Sequence, residues 1–353
     1  MTTEQISKIE KSIQNLENKL NKIYFLVQDT KGNAKASLSY IYRMALSLRN
    51  NGFNPIMLHE KNDYTKVGSW LGEEFDVLEH QSIENQNLAV TPEDFIVIPE
   101  LYGFVMEQIT KLPCGKIVLC QAYDYMLETL QPGQTWSQFG FYKCITTSEQ
   151  QKELISSIMR GISIDVVQPL ISDNFSKQEM PAKPIIAIHT REQRDTLNII
   201  KTFYLKFPQY RWITFRDMRG LTELEFANIL KDSFVSVWVD ETSSYGTFPL
   251  ESMKTNVPVI GLVPHVVPSW MNEDNGLWVN NKNQVVDIIA DFLQNWLEDN
   301  INSKLFEAMD VTISELPTPQ NFESKVINLF EGFNTIRKTS FEEQINKFDT
   351  IEQ

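Results

Sequence analysis

The stretch best suited to chemistry runs from Phe234 to Gly261, FVSVWVDETSSYGTFPLESMKTNVPVIG. Its pattern predicts a buried strand, a polar loop, a turn containing Gly246, a helix opening near Pro249 and a second buried strand almost at once. The backbone amides of such a loop, with the first turn of the helix behind it, favour an anionic group. Glu251 stands one step inside that helix, where a carboxylate can accept two hydrogen bonds from ribose hydroxyls. Ligands of this kind bind at the carboxyl edge of a parallel sheet. The same residues also fit an ordinary strand–helix unit without a ligand, and the pattern alone leaves both readings open.

The elements that must position this loop form two series. In the first, residues 22–27 (KIYFLV) read as a buried strand, Asp29 to Asn33 as a loop, Ala36 to Leu48 as a helix, and Pro55 to Leu58 as the next strand. Further strands are expected at Phe95 to Pro99, Lys116 to Cys120, Cys144 to Thr147 and Asp165 to Val167. Residues 172–184 are polar, carry Pro181 and Pro184 and lack periodicity, which marks a linker. A second series starts at Ile185 to Ile188, with strands at Arg211 to Phe215, Val235 to Val239, Val257 to Leu262 and Leu277 to Val279. Helices are expected at 196–206, 222–231, 249–255 and 284–298. Strands alternating with helices predict an α/β chain with parallel sheets. The expected organisation is an N-terminal helix (1–21), a first Rossmann-like domain (22–172), a second (183–321) and a helical tail (322–353). In the N-terminal helix Ile6, Ile9, Ile13, Leu16, Leu20 and Ile23 share one stripe. That stripe fits either packing across its own domain or a short homodimeric coiled coil.

With these elements in place, the motifs resemble those of the retaining glycosyltransferase family 4. The family's donor signature is a Glu-x7-Glu element followed by an Ala-Met-x4-Pro-Val-Ile run. Residues 243–253 (SSYGTFPLESM) and 257–260 (VPVI) match it, and residues 275–279 (NGLWV) resemble its Asn-Gly-Leu-Leu-Val. The resemblance implies a GT-B fold of two Rossmann-like domains facing across a cleft, and a nucleotide-sugar donor. It implies transfer of the sugar to a hydroxyl acceptor with retention. Glu251 would bind the donor ribose, and the amides of Tyr245, Gly246 and Thr247 would face sugar and diphosphate. Ser243 replaces the first glutamate of the signature. Family members carry an Arg and then a Lys after the first strand of the second domain. Arg191 and Arg194 occupy that region and would neutralise charge developing on the leaving diphosphate. His189, at the strand end, reads as structural. Between Arg211 and Phe234 the family's usual spacing is compressed, so one connection is missing or shortened.

In the first domain, Gly32 and Asn33 fall where the family places a flexible loop beside donor and acceptor. Gln121 stands near the position of a catalytic-site histidine in many members. Glu100, Tyr102, Tyr123 and Asp124 lie at expected strand ends facing the cleft, where each is a candidate acceptor contact.

Composition narrows the alternatives. The net charge is −14, with 32 Lys and Arg against 46 Asp and Glu, which argues against general nucleic-acid binding and attachment to anionic lipid. No apolar run approaches the ~20 residues a membrane helix needs, and the polar start, Met1 to Gln5, predicts no signal peptide. Three cysteines without metal-ligand spacing (Cys114, Cys120, Cys144) fit a reducing compartment, so a cytoplasmic location is expected. Walker, Gly-x-Gly-x-x-Gly, His-Glu-x-x-His and Gly-x-Ser-x-Gly motifs are absent. Asp-x-Asp is absent too, so neither metal nor cofactor is expected. The acceptor is expected to be a saccharide or other small molecule. A second reading is a phage-type enzyme glycosylating hydroxymethylated pyrimidines in DNA, which a cleft-facing basic strip of Lys31, Lys35 and Arg43 would favour. A third is a catalytically reduced sugar-binding or assembly protein, motivated by Ser243 and Gln121.

Overall fold

The computed structural model describes residues 21–84, 89–177, 183–242 and 244–333. The N-terminal helix expected over 1–21, its coiled-coil reading, Ser243 and the tail beyond 333 lie outside the described residues, apart from Asn21.

Two parallel sheets organise the chain, as the α/β pattern predicts. The first has seven strands in the order β3-β2-β1-β4-β5-β6-β7. They are β1 (Lys22–Leu26), β2 (Asn54–His59), β3 (Glu79–Ser82), β4 (Phe95–Pro99), β5 (Gly115–Cys120), β6 (Lys143–Thr146) and β7 (Ser163–Val166). The second has five in the order β12-β11-β10-β8-β9. These are β8 (Ile185–Thr190), β9 (Thr214–Asp217), β10 (Val235–Val239), β11 (Val259–Leu262) and β12 (Leu277–Val279). The central strands read as unbroken apolar runs because helices cover both sheet faces. Every residue of β4 and of β10 is buried.

Helices α1 (Ala36–Asn50), α2 (Met106–Ile109), α3 (Tyr123–Thr129) and α4 (Glu149–Ile158) serve the first sheet. Helices α5 (Gln193–Lys206), α6 (Glu223–Asp232), α7 (Thr247–Lys254), α8 (Val285–Leu297) and α9 (Ser303–Ser314) serve the second. The last described helix, α10 (319–333), returns to the first sheet. Its Phe322, Val326, Phe330 and Phe333 follow helical spacing and join the core around Phe25, Tyr40 and Phe95. Ring centroids of Phe25 and Phe330 are 6.2 Å apart, and those of Tyr40 and Phe322 6.1 Å.

Two expectations are corrected. β3, Glu-His-Gln-Ser, was not expected, because this edge strand has no apolar alternation to announce it. β9 begins at Thr214 rather than Arg211: Pro208–Tyr210 forms a 3-10 turn, and Ile213 N–H closes it on the Tyr210 carbonyl at 3.0 Å. Trp212, 48% exposed, lies outside the strand. The strand therefore ends at Asp217, and residues 218–222 lead directly into α6.

In each sheet the strand order reverses at one place, between β1 and β4 and between β8 and β10. The crevice beyond the carboxyl ends at such a reversal is where open α/β sheets hold ligands. Several contacts join the two halves near these ends. Ala34 N–H donates to the Leu221 carbonyl (2.7 Å), Glu223 N–H to the Trp70 carbonyl (2.8 Å), and Ala122 pairs with Ser244 in an antiparallel bridge.

Candidate active site

On the second sheet, β10 ends at Val239 and the polar loop follows, with Thr242 N–H turned onto the Asp240 carboxylate at 2.9 Å. Gly246 sits at φ +73°, a left-handed conformation that favours glycine. A Cβ there would also lie 3.0 Å from the Trp270 ring. Trp270 locks the turn by donating its indole N–H to the Tyr245 carbonyl at 2.6 Å. The Tyr245 ring is buried, and burial pushes its hydroxyl up to about 12. Among the described residues no side chain caps α7, and Pro249, in its first turn, has no N–H to satisfy. The amides at Thr247 and Phe248 thus face an open helix end.

Glu251, one turn in, lines a small cavity with Tyr40, Arg43, Glu223 and Thr247. Its carboxyl is pushed up to about 8, first by burial and then by the charge of Glu223; Arg43 and the Thr247 hydroxyl oppose the shift. Arg43 and Glu223 pair across the two halves at 2.5 Å, and the Asn174 amide also donates to Glu223 at 2.8 Å.

At the end of β8, Arg191 lies 3.8 Å from the Asp240 carboxylate and 4.6 Å over the ring of Tyr125 on α3 of the first half. Arg191 therefore reaches across the cleft. Arg194 is exposed, with no ion pair among the described residues. His189 stacks on Phe248 at 5.2 Å, and burial lowers its pKa; it packs between β8 and α7 as a neutral ring.

On the first sheet, Gly32 (φ +84°) turns the chain between β1 and α1. Asn33 donates from its side chain to the Thr30 carbonyl at 2.9 Å, which closes the loop on itself, and Ala34 N–H ties the loop to the Leu221 carbonyl of the other half at 2.7 Å. One strand-end residue does not present itself to the cleft as its sequence position suggested. Glu100 is 2% exposed and accepts from Ala122 N–H at 2.8 Å. Burial pushes its carboxyl up to about 7. Gln121 donates to the Ser37 carbonyl at 3.1 Å and accepts through its own carbonyl from Gln151 at 3.2 Å, so it ties β5 to α1 and α4. Tyr102, Tyr123 and Asp124 are half-buried around the start of α3. Nor do Lys31, Lys35 and Arg43 form a free basic strip. Lys31 pairs with Asp29 at 2.7 Å, and Arg43 is committed to Glu223.

Tyr125, Glu223 and Arg219 were missed from the sequence. Each is a loop or helix residue brought to the cleft by the other half or by the shifted end of β9, and no local spacing announces that.

This arrangement can be set beside known proteins. No family model matches the chain. An alpha-1,6-glucosyltransferase of Actinobacillus pleuropneumoniae serotype 7 (strain AP76) is 22% identical over 238 residues, 63% of this chain and 72% of that protein. Among solved structures, sucrose-phosphate synthase of Thermosynechococcus elongatus superposes with a TM-score of 0.60 at 11% identity, covering 90% of this chain and all of that one (100%). HepE of Anabaena, in complex with UDP and glucose, gives 0.63 at 10% identity, covering 88% of this chain and 100% of its own. The lipopolysaccharide outer core galactosyltransferase WaaB gives 0.55 at 12% identity, over 87% and 99%. The chain has the GT-B fold, the two-sheet architecture these structures share.

Proposed function

We propose that this chain is a glycosyltransferase that moves a sugar from a nucleotide-sugar to an acceptor hydroxyl. The observation that carries the reading is the convergence at one strand-order reversal of three features: the Gly246 turn with its open α7 end, Glu251, and Arg191. Glu251 accepts from the ribose, the amides at 245–247 meet the diphosphate, and Arg191 leaves the Tyr125 ring for it. In the reaction, the bond between the anomeric carbon and the diphosphate oxygen breaks, with its electron pair going to that oxygen. The acceptor oxygen bonds to the anomeric carbon, and its proton passes to the departing phosphate. Arginine and amides stabilise the charge that develops, a demand met by preorganised donors. We assign retention to the transfer on the signature around Glu251, and a saccharide hydroxyl as acceptor. The glucosyltransferase likeness supports that acceptor, and the net charge of −14 speaks against modified DNA. No metal is assigned a role.

A thermal-shift panel of UDP-, GDP-, ADP- and CMP-sugars tests the reading. A true donor at about 100 times its Kd adds about 2.7 kcal/mol to stability. One nucleotide class should stand out, and silence across the panel would overturn the proposal. With a donor in hand, NMR of the product anomer checks retention, and turnover in EDTA should match turnover without it.

A further inference from the structure

We infer that Arg219, in the connection between β9 and α6, is the second cation of the diphosphate site, the part that the sequence pattern gave to Arg194. The inference rests on the donor reading above. Arg194 is exposed on the first turn of α5. Arg219 instead lies where the two halves meet. Gly220, next to it, sits with its Cβ position 3.7 Å from the Asn33 side chain, and the Leu221 carbonyl accepts from Ala34 N–H at 2.7 Å. The two residues after Arg219 thus touch the Gly32–Asn33 loop. On its other side the residue before Arg219, Met218, donates its N–H to the Ile188 carbonyl at 3.0 Å, next to His189, whose ring stacks on Phe248 directly behind the Gly246 turn. Arg219 therefore stands between the glycine loop of the first sheet and the donor loop of the second.

Its guanidinium is already oriented. Asp217 accepts from Nε at 3.2 Å and from Nη2 at 2.6 Å, and the Thr196 hydroxyl accepts from Nη2 at 2.9 Å. Thr196 is itself held by Thr190 at 2.6 Å. Nη1 is shielded from solvent and has no hydrogen-bond partner among the described residues. An unpaired buried guanidinium nitrogen is costly, and a phosphate oxygen is the acceptor a planar fork fits best. The shortened connection explains why this residue is available: with β9 ending at Asp217 and α6 starting at Glu223, Arg219 lands above the end of β8.

The test uses the full chain and isothermal titration with UDP, GDP, ADP and CDP, each against its nucleoside. Arg219→Gln should weaken the preferred diphosphate by about tenfold or more, the loss of one charge-assisted hydrogen bond. The nucleoside should move by less than about twofold on the same footing, since it lacks the phosphates. Arg219→Lys, which keeps the charge but not the fork, should fall between, and it carries the test if the glutamine variant does not fold. Equal losses for diphosphate and nucleoside, or no loss, would overturn the assignment while leaving the donor reading intact. A wild-type protein that binds none of the diphosphates would overturn both.

Discussion

At the scale of single residues, Glu251 is the group whose chemistry is most open to measurement. To accept two ribose hydroxyls through both oxygens it must be ionised, yet burial and then Glu223 push its carboxyl up to about 8. Nucleotide binding should therefore release a proton below pH 8, and affinity should rise as pH climbs from 6 through 8. Calorimetry in buffers of different ionisation enthalpy reads that proton directly. Glu251→Gln should flatten the profile and weaken binding by about tenfold or more, as expected for hydrogen bonds to a charged group. The same residue makes a statement about stability. Its folded pKa lies above the unfolded value, so the folded state holds the proton longer. Its contribution is fully present below the unfolded carboxyl pKa and is lost as pH rises toward 8. Without ligand, Glu251→Gln should thus unfold at a higher temperature than the wild type at pH 8, with the gap closing near pH 4. A wild-type affinity independent of pH between 6 and 8.5 would mean that Glu251 does not meet the ribose as a carboxylate.

At the scale of elements, the helix α10 shows how a distant segment completes a core. Phe330 is fully buried against Phe25 of the first sheet and beside Phe333 of its own helix, although it follows the second sheet in sequence. Phe330→Ala should cost about 3–5 kcal/mol in urea denaturation, the usual loss for a buried phenylalanine. A loss below about 1 kcal/mol would mean that α10 does not seat there in solution. Amphipathic spacing made this helix legible in the sequence, but not the sheet it would cover. The same asymmetry runs through the chain. β4 and β10 were read to the residue because unbroken apolar runs bounded by polar residues leave little choice. The β3 edge was invisible because it is polar on both faces. β9 was misplaced because Trp212 and Ile213 look like strand residues, while the turn at Pro208 is decided by packing at the end of α5. The Gly246 turn and Glu251 were legible because all their parts lie within a dozen residues. Arg219, Tyr125 and Glu223 were not, because their roles depend on contacts between segments far apart in sequence.

At the scale of the whole molecule, the ion pair of Arg43 and Glu223 bridges the two halves. Its side chains are 13% and 8% exposed, and it lies beside the cavity that holds Glu251. Breaking a buried pair by removing one partner costs up to about 3–5 kcal/mol, because the other charge is left behind. Here the remaining carboxylate would sit beside Glu251 with Asn174 as its side-chain partner among the described residues. The cheapest relief is for the halves to part and admit water. Arg43→Gln should accordingly raise the radius of gyration in small-angle X-ray scattering of the ligand-free protein. Arg43 also opposes the upward shift at Glu251. Its removal should therefore move the rise of nucleotide affinity to higher pH than in the wild type. Opening alone would weaken binding evenly across pH, and loss of charge alone would move the midpoint without changing the scattering. Both changes together are expected if Arg43 both draws the halves together and tunes the carboxyl at the donor site.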